Sequence, residues 1–196
     1  MLYESYLERF VKFRLNPEIG LDAFALDRYS LSDFSGIAAR LHECCLSITL
    51  HAPFVDLSPG SPDRKIWEIT RSRFEQVVRL ISVFRPKTLV CHAGYDGKRY
   101  GYMRDIWVEK SLEMWSWLAK RVRDEGTSLV LENVYEDGPD DIRFLFENLQ
   151  KQRVSFCLDT GHQAAFSGAP LETWIESLGT YIAQLHLHDH SGEKEE

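Results

Sequence analysis

Five side chains that can ligate a metal stand at the ends of short apolar runs: His51 in ITLHAPF, His92 in LVCHAG, Glu132 in LVLENV, Asp159 in FCLDTGH and His186 in AQLHLHD. Carboxylates bind hard divalent cations, and neutral imidazole suits Zn, Mn, Fe or Co. Glu132, Asp159 and His186 come from three successive runs and would converge on one ion. A Glu that ends an apolar strand is costly to bury unless it is paired or metal-bound. His162 follows Asp159 by three residues and can face the same space. His186, His188 and His190 alternate, so an extended backbone places them on one face. Of these, His186 is the candidate ligand and His188 a candidate substrate contact. The plainer readings are a loop Glu132, an Asp159 that only caps the next segment, and His51 and His92 as satisfied core histidines. Each is reasonable singly, but a plain core does not need five such residues in series. His42, beside Glu43 on a helix, reads as a surface residue without a role.

The elements that must carry these residues follow from periodicity. Residues 1–15 read as a helix, with Leu2, Tyr6 (or Leu7), Phe10, Phe13 and Leu15 near one face, ended by Asn16-Pro17. Strands are predicted over 18–26, 46–52, 88–93, 128–134, 154–158 and 182–188. Helices are predicted over 30–45, from Ser61 to Pro86, and over 106–123, 139–150 and 170–178. Ser61 suits the N-cap of the long helix and Pro62 its first position. Its apolar face is read as Ile66, Ile69, Phe74, Val77, Val78 and Ile81. Gly126 suits the C-cap of the helix before it. Residues 94–103, GYDGKRYGYM, read as a loop that puts Tyr95, Tyr100 and Tyr102 at the mouth of the site, Tyr95 being a second candidate substrate contact.

Strand and helix thus alternate, which implies a parallel sheet with helical crossovers. The run ends Leu26, His51, His92, Glu132, Asp159 and His186 each fall one strand–helix unit apart. A closed eight-unit barrel takes about 250 residues. The fold expected is therefore α/β, of the (β/α)8 TIM barrel lineage, with six strands present and the first and last missing, in a single domain over 1–196. The alternative is an open six-stranded doubly wound sheet. Exposed edges on such a partial barrel would invite homo-oligomers.

Composition narrows the partners. Hydrophobic residues make up 44% of the chain, enough for a large core. A formal net charge of −7 disfavours nucleic acid as the main partner. No apolar run approaches the roughly 18–20 residues of a membrane span. The N-terminus lacks a signal-peptide pattern and the four cysteines lack framework spacing, so reduced thiols and a cytoplasmic location are expected.

Taken together, ITLHAPF, LVCHAGYD, LVLENVYE, FCLDTGHQAAF and LHLHD resemble the xylose isomerase-like barrel superfamily, which holds endonuclease IV and the sugar phosphate isomerases/epimerases. In the endonuclease branch, the resemblance implies one metal on His51 and His92 bridged by Glu132, a second on Asp159 and His186, and a third on His162. In the epimerase branch it implies one metal on Glu132, Asp159 and His186, with Glu132 also moving the proton. The sequence departs from the family after the last strand: His190 replaces an Asn, and Glu195 stands where an Asp is usual.

Three functions compete. The reading preferred is a metal-dependent isomerase or epimerase of a small sugar or sugar phosphate, using one to three divalent ions (Zn, Mn, Mg or Co). The second is an endonuclease IV-like phosphodiesterase, which would use His51, His92 and His162. The third is a truncated barrel that binds metal or a partner without turnover.

Overall fold

The computed structural model of the chain describes residues 6–188. Six parallel strands lie in chain order: β1 (Glu18–Gly20), β2 (Thr49–His51), β3 (Thr88–His92), β4 (Ser128–Glu132), β5 (Ser155–Asp159) and β6 (Ile182–His186). Sequential order with parallel pairing is the signature of a barrel wall; a doubly wound sheet would reverse its order once. The six strands form a partial TIM barrel, with β1 and β6 at its two edges.

The helices are α1 (Leu7–Phe13), α2 (Ala23–Arg28), α3 (Leu31–Glu43), α4 (Arg64–Phe84), α5 (Gly97–Tyr100), α6 (Arg104–Asp124), α7 (Arg143–Asn148), α8 (Thr160–Phe166) and α9 (Leu171–Leu178). They cover the outer face, except that α5 and α8 also line the cavities at the rim. The main core lies between wall and helices. Leu89, Leu129, Leu131, Phe156 and Leu158 meet Phe74, Ile81, Trp107, Trp115 and Trp174 there. Residues of opposite parity point into the barrel, where Val90, Val130 and Cys157 form a separate buried cluster.

Several boundaries differ from expectation for local reasons. The first strand stops at Gly20 because Asp22 accepts a hydrogen bond from Ala25 N at 2.6 Å and starts α2, so Leu26 is helical and not at a strand end. Asp63, rather than Ser61, caps α4, accepting from Lys65 N at 2.8 Å. That helix buries Trp67 and Thr70, while Ile66 and Ile69 are exposed. In α1 only Leu7 is buried, and Phe13 and Leu15 face outward. Gly126, at φ +80°, follows the C-cap Glu125 and takes the left-handed conformation that ends α6. His42 is half-buried, 3.0 Å from the Phe84 carbonyl at the end of α4, and is thus not a free surface residue. All four cysteines are free. No helix among the described residues is long and apolar enough to cross a membrane. Leu2, His190 and Glu195 lie outside the described residues.

The sheet curls until side chains of its two edges meet. Gln184 Nε2 on β6 donates to Glu18 Oε2 on β1 at 2.6 Å, and the Gln184 oxygen accepts from Thr88 Oγ1 at 2.7 Å. Strand β6 carries a register shift opposite Phe156 and Cys157: Phe156 pairs with Ile182, but Cys157 pairs with Gln184. The extra residue, Ala183, reverses the facing of everything after it. Without it Leu185 would oppose Asp159; with it His186 does.

Candidate metal centre

The C-terminal ends of β2 to β6 place His51, His92, Glu132, Asp159 and His186 in one cavity of about 390 Å³, with His162 and His188 beside them. Glu132 is the hub. It is 1% exposed. Its Oε2 lies 3.0 Å from His51 Nε2 and 3.8 Å from His92 Nε2. Its Oε1 lies 3.1 Å from His186 Nδ1 and 3.2 Å from His162 Nδ1. Burial alone would push the Glu132 carboxyl up. Hydrogen bonds from His162, His186 and His51 outweigh it and hold the group well below the usual carboxylate range. Burial likewise opposes protonation of His186 and His162, and their carboxylate contacts prevail, raising both. Burial wins at His92, whose pKa falls to about 3, so its ring is neutral and its nitrogens can donate a lone pair.

Asp159 both caps and faces the cavity. Its Oδ1 accepts from His162 N at 2.7 Å and starts α8, so the segment after β5 is a helix entered directly from the strand. Its Oδ2 is buried and takes no hydrogen bond. Three imidazole nitrogens surround that oxygen: His188 Nε2 at 2.8 Å, His186 Nδ1 at 3.5 Å and His162 Nδ1 at 3.6 Å. Gly161 makes room for His188, since a Cβ there would come within 2.8 Å of its ring.

A buried carboxylate oxygen without a hydrogen bond, ringed by nitrogen donors, fits a divalent cation. Three residue sets bring one donor atom each to within 4.8 Å of the others: His51, His92 and Glu132; Glu132, Asp159 and His162; and Glu132, Cys157 and His186. Nitrogen and sulfur among the donors suit Zn or Co better than Mg.

Four residues to which the sequence assigns no role shape the site. Glu18 Oε1 lies 3.0 Å from His186 Nε2. Phe54 stacks on His92 with ring centroids 4.2 Å apart. Asn133 links the ends of β4 and β5 through its side chain. Glu136 is buried and accepts from Val134 N at 2.6 Å and Tyr95 N at 3.1 Å, tying two rim loops together. Tyr95 is not brought to the cavity. Its ring is 3% exposed and packs edge-on against Trp107, because Glu136 anchors its backbone inward. Tyr135, 57% exposed, lines the cavity instead. A second cavity of about 320 Å³ shares Phe54, His92, Val134 and Tyr135 with the first and is lined further by Arg99, Asp96 and Tyr100.

A parallel partial barrel with carboxylates and imidazoles gathered at its C-terminal rim defines a barrel protein with a candidate metal site at that rim. The family profile described as Xylose isomerase-like TIM barrel matches residues 13–196, and the chain belongs to that family. It is 24% identical over 160 residues to the uncharacterized protein MJ1311 of Methanocaldococcus jannaschii, with 77% of this chain and 54% of that protein covered. To the uncharacterized MJ1614 of the same organism it is 27% identical over 159 residues, covering 77% and 59%. The chain thus spans between half and three-fifths of the length of these curated relatives. Among solved structures, the TTHB071 protein from Thermus thermophilus, soaked with ZnCl2, superposes with a TM-score of 0.84 at 26% identity, covering 97% of this chain and 75% of that one. A D-tagatose 3-epimerase-like protein shares the fold, with a TM-score of 0.76 at 21% identity over 98% of this chain and 75% of that one.

Proposed function

We propose that the chain carries the metal site of a sugar isomerase or epimerase, in which Glu132 takes the proton from the carbon beside the carbonyl of a small keto-sugar or its phosphate. The observation that carries this reading is Glu132 itself: one buried carboxylate, held ionised, whose two oxygens face His51, His162 and His186 at 3.0–3.2 Å. Glu132, Asp159 and His186, joined by His51, His92 and His162, would hold the divalent ion or ions. When bound, such an ion acidifies the hydrogen beside a carbonyl and stabilises the charge that develops on oxygen. His188, reaching the rim beside Asp159, is placed to meet substrate hydroxyls. Phe54 and Tyr135 wall the cavity and limit its access to water. Arg99 in the adjoining cavity is placed to meet a phosphate or other anionic group on the substrate.

The epimerase-like fold neighbour and the zinc-soaked relative support this reading. The test is incubation of the zinc-, manganese- or cobalt-loaded chain with a panel of keto-sugars and their phosphates, read by NMR. Metal-dependent conversion that vanishes in Glu132→Gln is expected; no conversion of any member would sink the proposal. A second reading is favoured by the His51–His92–Glu132 set, which a one-metal site does not require. Under it the chain would cleave abasic-site DNA with metal supplied, and an intact oligonucleotide removes that reading.

A further inference from the structure

We propose that Glu18 is a positioning residue: its carboxylate holds the Nε2 proton of His186, so that Nδ1 is the nitrogen left to ligate a cation held with Glu132 and Asp159. The inference rests on the metal-site reading above. His186 offers two nitrogens, and only one can ligate. Nδ1 lies 3.1 Å from Glu132 Oε1 and 3.5 Å from Asp159 Oδ2, on the side where the other donors gather. Nε2 points the opposite way, 3.0 Å from Glu18 Oε1. Both nitrogens thus face carboxylate acceptors; a cation held with Glu132 and Asp159 would displace the proton from Nδ1, and Glu18 keeps the one on Nε2. Imidazole ligands are commonly set in this manner, with a carboxylate or carbonyl on the nitrogen away from the metal. His51 shows the same device with a different partner: Nδ1 is 2.9 Å from the Ala52 carbonyl, leaving Nε2 to face Glu132.

The competing contact is Gln184, whose Nε2 is 3.2 Å from His186 Nε2. That amide would donate only to an unprotonated Nε2. Its orientation is fixed by two stronger contacts, since its oxygen accepts from Thr88 and its nitrogen donates to Glu18. Between a neutral amide and a carboxylate, the charge-assisted bond decides the tautomer. Glu18 is itself held for the task. Thr49 Oγ1 donates to its Oε2 at 2.9 Å and Gln184 to the same oxygen at 2.6 Å, leaving Oε1 for His186.

The test uses the full 196-residue chain. Zinc affinity is measured by competition with a chromophoric chelator, and histidine tautomers are read by long-range 1H–15N correlation in the zinc-loaded protein. In the wild type, His186 should carry its proton on Nε2 and His51 on Nδ1. Glu18→Ala should weaken zinc about 10–100-fold and mix the His186 tautomers while leaving His51 unchanged. Glu18→Gln, which keeps an acceptor oxygen, should fall between the two. Gln184→Leu removes the link between the sheet edges but not the acceptor, and should retain the His186 tautomer and most of the affinity. Unchanged affinity and tautomer in both Glu18 variants would overturn the inference. So would an equal loss of affinity in Gln184→Leu, which would make the effect one of edge bridging. Loss of a whole zinc equivalent with His186 signals intact would make Glu18 a ligand, not a positioning residue. A wild-type chain that takes up no zinc would instead overturn the metal-site reading on which the inference stands.

Discussion

The side chain of Asn133 pairs with the main chain of Asp159 as a strand would: Nδ2 donates to the Asp159 carbonyl at 3.0 Å, and Asp159 N donates to Oδ1 at 2.9 Å. The backbone ladder between β4 and β5 has already ended, at Glu132 opposite Cys157. One amide therefore extends it by a step and fixes the two buried carboxylates relative to each other. Asn133→Ala would leave a buried N–H and C=O without partners, at a cost of about 2–4 kcal/mol. Urea unfolding should show that loss, and a zinc titration should show weaker binding as Asp159 loosens.

Replacing Glu132 by Gln removes the charge on which four imidazoles converge. Metal content after purification without chelator should fall below that of the wild type. Any metal-dependent sugar conversion should drop by about 10²–10⁴-fold. Elemental analysis beside an NMR assay checks both. Full metal content in the variant would move the hub elsewhere.

Glu136 makes stability depend on pH. Burial raises its carboxyl from 4.5 to about 7 against the pull of the backbone N–H groups of Val134, Glu136 and Tyr95. A folded pKa above the unfolded value gives stability that is complete below the lower value and fades as pH rises through the upper. Between about pH 4.5 and 7 the wild type should lose on the order of 1–3 kcal/mol relative to Glu136→Gln, which cannot ionise. Paired urea melts across that range measure the difference, and parallel curves would refute it.

Gly161→Ala tests the seat of His188. Alanine favours a helix over glycine by roughly 1 kcal/mol, and Gly161 lies in the first turn of α8. Its Cβ, however, would displace the His188 ring from beside Asp159. Because the clash reaches the Cβ of His188 as well as its ring, that residue must move, and substrate affinity measured by titration should fall while urea unfolding shows the net of the two effects on stability.

Arg99 offers a way to tell phosphorylated from plain substrates. Arg99→Ala should raise KM for a sugar phosphate about tenfold, the loss of one exposed charge-assisted contact, and leave the unphosphorylated sugar unaffected. An equal change for both would remove Arg99 from recognition.

The wall of the barrel is legible in the sequence because each buried strand is a short apolar run with one polar residue at its end. Five of those residues do meet in space. Contacts that depend on register are not legible. Glu18 reads as the polar start of an ordinary strand, and only the curl of the sheet brings it to His186. His186 faces inward because of the shift at Ala183, which an alternating pattern does not announce. Tyr95 sits in a loop whose letters suggest exposure, whereas a carboxylate 41 residues later draws its backbone in. The α2 start at Asp22 is present in the sequence as a cap but is hidden by the apolar letters around it.

Below the carboxylates, Val90, Val130 and Cys157 stopper the barrel, and the Glu18–Gln184 link bars the side where its edges approach. Among the described residues the floor of the site is thus plugged, and its reactive groups gather at the opposite, open rim. A ligand that reaches Glu132 from that rim meets Phe54 and Tyr135 on its way.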